Sequence, residues 1–151
     1  MKLTEEPEIV HWPETHYVFL EKIGPFTTTA GQAWQSAHQL VPAISAHNKI
    51  TGYMSLYKRG PKIYRAGFSL AAPPQKLPEA FEYVKFSVGK YSRFILTGPY
   101  SDLPAASGRV FEIVAAQGIE MRDDFCIEHY VTDPSKTPED QTITHILIPT
   151  V

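Results

Sequence analysis

The sequence contains a single cysteine, Cys126, among its 151 residues. One cysteine cannot form an intramolecular disulfide, and it provides too few thiolates for a cysteine-based zinc site. The six histidines show no metal-ligand spacing such as His-Glu-x-x-His, so we expect neither a metal nor another cofactor. A chain of this length can bury an adequate core without such reinforcement. We therefore expect one domain, residues 1–151, that is stabilised by packing.

An excess of basic residues is also missing. The chain has 14 Lys and Arg against 16 Asp and Glu, which gives a formal net charge of −2, and no segment concentrates the basic residues. These features argue against direct binding of nucleic acid. No apolar run approaches the roughly 18 residues that span a membrane, and acids stand near the N terminus where a signal peptide would carry bases. We expect a cytoplasmic protein without a nucleic-acid or membrane partner.

Two common catalytic motifs are absent as well. There is no glycine-rich phosphate loop and no Gly-x-Ser-x-Gly sequence, which removes a nucleotide hydrolase of the P-loop type and the simplest serine hydrolase. Cys126 lies in an apolar, β-branched context, which is more typical of a small buried residue than of a nucleophile. Any chemistry must therefore depend on other residues.

What the sequence does contain is an internal repeat. Gly24-Pro25-Phe26 precedes a helical pattern and a strand at Tyr53–Tyr57, and Gly98-Pro99-Tyr100 precedes another helical pattern and a strand at Phe125–Tyr130. Each half therefore reads as strand, helix, strand, strand. The predicted repeats span residues 16–70 and 82–149.

Short sequence patterns predict the individual helices and strands. Apolar residues at helical spacing predict a helix from Thr29 to His47, with a kink or restart at Pro42 because proline lacks a backbone donor. A Gly-Lys turn between Phe81–Val88 and Tyr91–Thr97 predicts a hairpin. The stretch between Lys22 and Lys49 has no charged residue, which suggests a surface covered by a second copy of the chain or by another part of it.

The candidate site is centred on Glu128, the acid of an otherwise uncharged strand. Alternation along the strand puts Glu128 on one face with Cys126 and Tyr130, and His129 on the other. An ionised Glu128 would be costly to bury unless it were paired, and it could instead be protonated with a raised pKa. The alternative is that this glutamate lies on a solvated face.

The repeat extends this face to the first half, where Tyr53, Ser55 and Tyr57 correspond to residues of the Glu128 strand. We interpret Met54, Leu56, Phe125 and Ile127, together with His129, as turned towards the helices. The opposite faces would then meet in a groove with three tyrosines and one acid, which suits a flat, apolar and cationic ligand. Ordinary sheet tyrosines remain the alternative.

Several short motifs resemble the GyrI-like (gyrase-inhibitor-like) small-molecule-binding domain, which also forms the effector-binding part of multidrug-responsive transcription activators of the AraC and MerR types. The resemblance spans roughly residues 7 to 151. Its motifs are Gly24-Pro25-Phe26, Gly98-Pro99-Tyr100-Ser101-Asp102-Leu103, Ile127-Glu128-His129-Tyr130, Asp133-Pro134 and Ile146-Leu147-Ile148-Pro149.

The resemblance implies an α+β fold, a duplicated βαββ unit with pseudo-twofold symmetry, in which curved antiparallel sheets and two helices surround a central ligand groove. Glu128 matches the glutamate of that groove, and the expected ligand-binding residues are Glu128, Tyr53, Tyr57 and Tyr130. Some free-standing members resemble hydrolases that open cyclopropane-bearing natural products. In that case Glu128 would be the acid/base, aided by Tyr53 or Tyr57.

Three functions follow from these observations. The chain can be a binding module for bulky aromatic, lipophilic or cationic compounds, a hydrolase that uses the same groove, or an adaptor that inhibits a protein partner. The sequence shows no DNA-binding segment, so control of transcription would need a separate DNA-binding protein. It leaves open a protein partner and a homo-oligomer.

Overall fold

The computed structural model describes residues 1–86 and 89–151, and it has the predicted α+β class with antiparallel strand pairs. The α-helices are α1 (Phe26–Ser45) and α2 (Leu103–Ala116). The strands are β1 (Lys2–Leu3), β2 (Glu8–His11), β3 (Thr15–Ile23), β4 (Ile50–Lys58), β5 (Ile63–Leu70), β6 (Glu82–Phe86), β7 (Lys90–Thr97), β8 (Cys126–Tyr130) and β9 (Ile143–Pro149). Neither helix of the described residues combines the length and apolarity that crossing a bilayer requires.

The chain divides into two compact units. The terminal unit contains Met1–Trp12 and Gly89–Val151, and the middle unit contains Pro13–Val88. Each unit has its own set of paired strands and one α-helix, so each has a separate set of residues that shape its surface.

The middle unit has the strand order β4-β5-β3-β6, and α1 packs against β3 and β5. The helix buries the small residues Ala33 and Ala37, which allow it to approach the sheet closely. A side chain at Gly67 of β5 would overlap the backbone carbonyl of Val18 in β3. Glycine is therefore required at this position by the close approach of the two strands.

The terminal unit has the strand order β8-β9-β7, and both β1 and β2 pair with the outer side of β7. Its core includes the fully buried Phe94 and Leu96 of β7 and Ile146 of β9. The buried stripe of α2 is Ala106, Val110, Ile113 and Val114, as its helical spacing predicts.

The two units share one internal topology. In each unit, one strand leads into the helix, and the two strands that follow the helix form an antiparallel pair. The second strand of that pair also pairs with the strand before the helix. The elements in order are β3, α1, β4 and β5 in the middle unit, and β7, α2, β8 and β9 in the terminal unit. The order and pairing of the elements within each unit confirm the predicted duplicated βαββ arrangement.

Two local predictions need correction. Helix α1 begins at Phe26 and continues through Pro42, and the amide of Ala46 donates to the carbonyl of Pro42, so the helical ladder does not restart there. The hairpin prediction is wrong because β6 pairs with β3, while β7 pairs with β9 on one edge and with β1 and β2 on the other. Ser87 and Val88, which belong to the segment predicted as a hairpin, lie outside the described residues.

Candidate functional site

Glu128 lies in β8, two residues from Tyr130, and both side chains are on the same face of the strand. The hydroxyl of Tyr130 donates a hydrogen bond of 2.9 Å to Oε1 of Glu128. Glu128 is half-buried, and burial raises its pKa from 4.5 to about 6, although the bond from Tyr130 acts in the opposite direction. Burial prevails because water solvates the charged carboxylate better than one phenol does.

A pKa of about 6 gives Glu128 a charge that depends on conditions near neutrality. One unit above this pKa about ten carboxylates are ionised for each protonated one, and one unit below it the ratio is reversed. The carboxyl can therefore act as an anion towards a cationic ligand, or it can exchange a proton with a bound molecule.

Tyr130 also has an aromatic neighbour. Tyr100, in the 3₁₀ turn Tyr100–Asp102 that leads into α2, packs edge-to-face on Tyr130 with ring centroids 5.5 Å apart. The sequence marks Tyr100 as part of a chain break and of one motif of the family resemblance, and it predicts no functional role for this residue. Its position at the entrance to the helix is what brings it to the Glu128 face.

In the middle unit, Tyr53 lies beneath α1 within an aromatic cluster. Its ring is nearly parallel to that of Trp34, with centroids 6.3 Å apart, and it meets Phe68 edge-to-face at 4.9 Å. His38, one helical turn after Trp34, is 5.3 Å from the Trp34 ring and 6.0 Å from Tyr53. Trp34 and Tyr53 are half-buried and His38 is exposed, so the cluster has an accessible side.

Hydrogen bonds fix the Trp34 ring. Its Nε1 donates to Oγ of Ser55 at 2.9 Å and to the hydroxyl of Tyr64 at 3.0 Å, and these two oxygens are 2.7 Å apart. Tyr57, two residues after Ser55, is buried and meets Phe26 of α1 at 5.6 Å. Helical spacing accounts for Trp34 as an apolar residue of the helix, and the sequence gives no further signal of this role.

These contacts correct the predicted direction of the faces. Tyr53, Ser55 and Tyr57 were expected to point away from the helices, yet all three contact side chains of α1. Strand alternation determines which residues share a face, but it does not determine which face a helix covers. Met54 and Leu56 therefore occupy the face opposite α1.

His129 also differs from its predicted position. Its ring contacts Trp12 at 5.7 Å and His145 of β9 at 6.0 Å, whereas Tyr130 contacts the turn before α2. Burial lowers the pKa of both histidines. Within residues 1–86 and 89–151, no group of three or more His, Cys, Asp or Glu has a geometry that could hold a metal ion.

The structure thus brings Glu128 and Tyr130 together in the terminal unit, and it places Tyr53 and Tyr57 on one face of β4 in the middle unit. Cys126, on the same strand as Glu128, is buried.

Comparison with protein families gives a match over residues 5–151 to the model described as GyrI-like small molecule binding domain. No curated protein matches the chain significantly.

Solved structures show the same fold at low sequence identity. The C-terminal domain of EcmrR is 17% identical with a TM-score of 0.75, covering 100% of this chain and 99% of that domain. SAV2435 bound to tetraphenylphosphonium is 12% identical with a TM-score of 0.72, covering 97% and 94%. A hydrolase from Listeria innocua is 13% identical with a TM-score of 0.60, covering 98% and 93%.

Proposed function

We propose that this chain, which belongs to the family of GyrI-like small-molecule-binding domains, binds bulky lipophilic or aromatic cations through the carboxylate of Glu128. The observation that carries the proposal is the position of Glu128, half-buried in β8, hydrogen-bonded to Tyr130 and with its pKa raised to about 6. Such a carboxylate is poorly solvated, so a cation beside it restores the interaction that water would provide.

The chemical class of the expected ligand follows from the poor solvation of the Glu128 carboxylate. A cation whose charge is spread over aromatic groups loses little hydration when it enters a protein site, and it can pair with a half-buried carboxylate at low cost. Tyrosine rings add cation–π attraction, which strengthens when water is excluded. SAV2435, which shares the fold, is described as bound to tetraphenylphosphonium, a cation of this class.

The proposed ligand-binding residues are Glu128 and Tyr130 of the terminal unit and Tyr53 and Tyr57 of the middle unit. Tyr130 orients the carboxylate, as its hydrogen bond indicates. Tyr53 offers a half-buried ring, and Tyr57 contributes mainly by packing because it is buried. Trp34 is an addition from the structure, since two hydrogen bonds hold its ring parallel to Tyr53.

Calorimetric titration with tetraphenylphosphonium tests the proposal. Glu128→Gln keeps the size of the side chain and removes its charge. It should weaken binding by about 1.5–3 kcal/mol, which is the attraction between unit charges roughly 6–10 Å apart at an effective dielectric constant of about 20. The neutral analogue triphenylphosphine oxide should lose much less. Glu120→Gln, at an exposed position of the same unit, is the matched control. Equal affinities of Glu128→Gln and wild type for the cation would refute the proposal.

A hydrolase that opens cyclopropane-bearing natural products is the second candidate. The pKa of Glu128, about 6, favours it because an efficient general acid or base titrates near the working pH. The fold is shared with a protein described as a hydrolase. Ring opening would break one carbon–carbon bond of the strained ring and add water across it, with Glu128 exchanging the proton and the half-buried Tyr53 as the candidate to stabilise the reacting group. The buried position of Tyr57 disfavours that role for it.

Mass spectrometry separates the two candidates. Strained-ring compounds incubated with the protein should gain the mass of one water molecule if the chain is a hydrolase, and Glu128→Gln should then lower turnover by roughly 10²–10⁴-fold with binding nearly intact. Recovery of unchanged ligand with the protein supports the binding function.

A further inference from the structure

Tyr100 is an unusually exposed aromatic residue for one that contacts the Glu128–Tyr130 pair. It retains 38% of its accessible surface, and its ring meets that of Tyr130 edge-to-face at 5.5 Å. An edge-to-face pair leaves one ring face open to other contacts, and exposed tyrosine faces attract cations. The aromatic surface beside Glu128 therefore extends outward through Tyr130 to Tyr100.

The loop that follows Tyr130 carries a second carboxylate, that of Asp133. The charge of Asp133 acts on the Tyr100 hydroxyl and, after burial, is the second cause of its raised pKa. Asp133 follows Tyr130 by three residues, and its Oδ1 accepts hydrogen bonds from the amide of Ser135 at 2.9 Å and from the Ser135 hydroxyl at 2.7 Å. Both bonds reach the same oxygen, so the carboxylate is held in one orientation.

The two acids have opposite environments. Glu128 is half-buried with a raised pKa, whereas Asp133 is exposed and its hydrogen bonds from Ser135 hold its pKa below the usual value. The positive charge of Lys136 also lowers the pKa of Asp133. Asp133 is consequently ionised under conditions where Glu128 has taken up a proton.

We propose that Tyr100 and Asp133 form an outer recognition element for lipophilic cations, in addition to the Glu128–Tyr130 pair. This inference rests on the proposed binding function. The Tyr100 ring supplies cation–π contact, and the fixed carboxylate of Asp133 supplies charge attraction that acts over a longer range than contact does. The element selects for positive charge before the ligand reaches Glu128, and it makes Asp133 and Tyr100 specificity-determining residues.

The test compares Asp133→Asn with Asp140→Asn in calorimetric titrations with tetraphenylphosphonium. Asparagine retains a side-chain oxygen for the Ser135 bonds, so the turn is preserved while the charge is lost. Asp140, in the same acidic loop and exposed, provides the same change in net charge. Asp133→Asn should weaken the cation about threefold to tenfold at low salt, and the loss should shrink as salt screens the charge. Asp140→Asn should change affinity by less than about twofold.

Changing the pH separates the outer element from the inner acid. At about pH 5, Glu128 is mainly protonated, so Glu128→Gln should lose its effect while the effect of Asp133→Asn persists. Tyr100→Leu should weaken the cation about twofold to fivefold, whereas Tyr100→Phe, which keeps the ring, should bind as wild type does. Triphenylphosphine oxide should be insensitive to Asp133→Asn.

The outcomes distinguish this inference from the proposed function. If wild type and Glu128→Gln behave as proposed but Asp133→Asn matches Asp140→Asn, the outer element is refuted and the binding function stands. If wild type binds no lipophilic cation, both are refuted. Equal losses for the cation and the neutral analogue in Asp133→Asn would indicate a structural effect of the loop and would also overturn the inference.

Discussion

The hydroxyl of Tyr130 donates to Oε1 of Glu128 across 2.9 Å, between two residues of one strand face. This bond stabilises the charged form of the carboxyl and opposes the effect of burial on its pKa. Tyr130 is therefore a positioning residue for Glu128. Its hydroxyl sets both the direction of the carboxylate and the fraction that is ionised at a given pH.

Tyr130→Phe should raise the pKa of Glu128 above 6, because it removes the hydrogen bond that favours the anion and leaves burial unopposed. NMR titration of the Glu128 carboxyl carbon measures this directly. As the pH is lowered, binding of tetraphenylphosphonium should then begin to decline at a higher pH than it does in wild type. Tyr83→Phe, at an exposed tyrosine of the other unit, is the control. An unchanged Glu128 pKa in Tyr130→Phe would show that the hydrogen bond has no influence on the carboxyl.

Glu128 should also reduce the stability of the fold at neutral pH. Its pKa in the folded protein is raised from 4.5 to about 6, so the folded state binds the proton more tightly than the unfolded state does. The contribution of Glu128 to the free energy of unfolding is therefore fully present below about pH 4.5, and it is lost as the pH rises through about 6.

Glu128→Gln should accordingly raise the free energy of unfolding by about 1–2 kcal/mol near pH 7.5, and the difference should vanish near pH 4. Urea denaturation at the two pH values measures it, with Glu120→Gln as the control. A variant that is less stable than wild type at pH 7.5 would contradict the assigned environment of Glu128. A substitution that raises the stability of the fold and weakens ligand binding would be typical of an acid that is retained for binding.

The sequence predicted which residues share a face more reliably than it predicted what covers that face. Alternation correctly placed Glu128 with Tyr130 and separated both from His129, since the parity of a strand follows from the backbone alone. The side on which a helix packs depends on the handedness of its connection and on long-range contacts. For that reason the prediction for Tyr53 had the correct parity and the wrong side.

Strand pairing failed for a related reason. The sequence Phe81–Val88 stands close to Tyr91–Thr97, and short separation favours a hairpin prediction. β6 instead pairs with β3, where Val84 lies opposite Tyr17 and Tyr83 opposite Val18. Such a partner is distant in sequence, and no local pattern encodes it. The role of Trp34 was likewise hidden, because helical spacing alone already explained an apolar residue at that position.

Two glycines should respond in opposite ways to alanine. A methyl group at Gly67 would overlap the carbonyl of Val18 and crowd the backbone of Phe19, so Gly67→Ala should destabilise the middle unit by several kcal/mol or prevent its folding. A methyl group at Gly108 in α2 would meet no described atom within 4 Å outside its own turn of helix, and Gly108→Ala should add about 1 kcal/mol of helix stability.

Thermal and urea denaturation of the two alanine variants provide the check. Gly60→Ala, at a turn with open space around it, is a neutral reference. A Gly67→Ala protein as stable as wild type would show that β3 and β5 can separate without cost, which their close pairing does not allow.

Trp34 provides the last prediction, because its ring is held by hydrogen bonds rather than by packing alone. Trp34→Phe removes the N–H that reaches Ser55 and Tyr64 but keeps an aromatic ring on the same helical face. The buried Ser55 hydroxyl loses one partner and keeps Tyr64, so the lost hydrogen bonds should lower the free energy of unfolding by about 0.5–1.5 kcal/mol. Ser55→Ala alone should cost less, since it removes the hydroxyl together with its need for a partner. If the indole N–H and the Ser55 hydroxyl act as one network, the double variant should lose less than the sum of the two single losses. Strict additivity in urea denaturation would show that the two groups are energetically independent, and the ring of Trp34 would then be fixed by its contacts with Tyr53 and Phe68 instead.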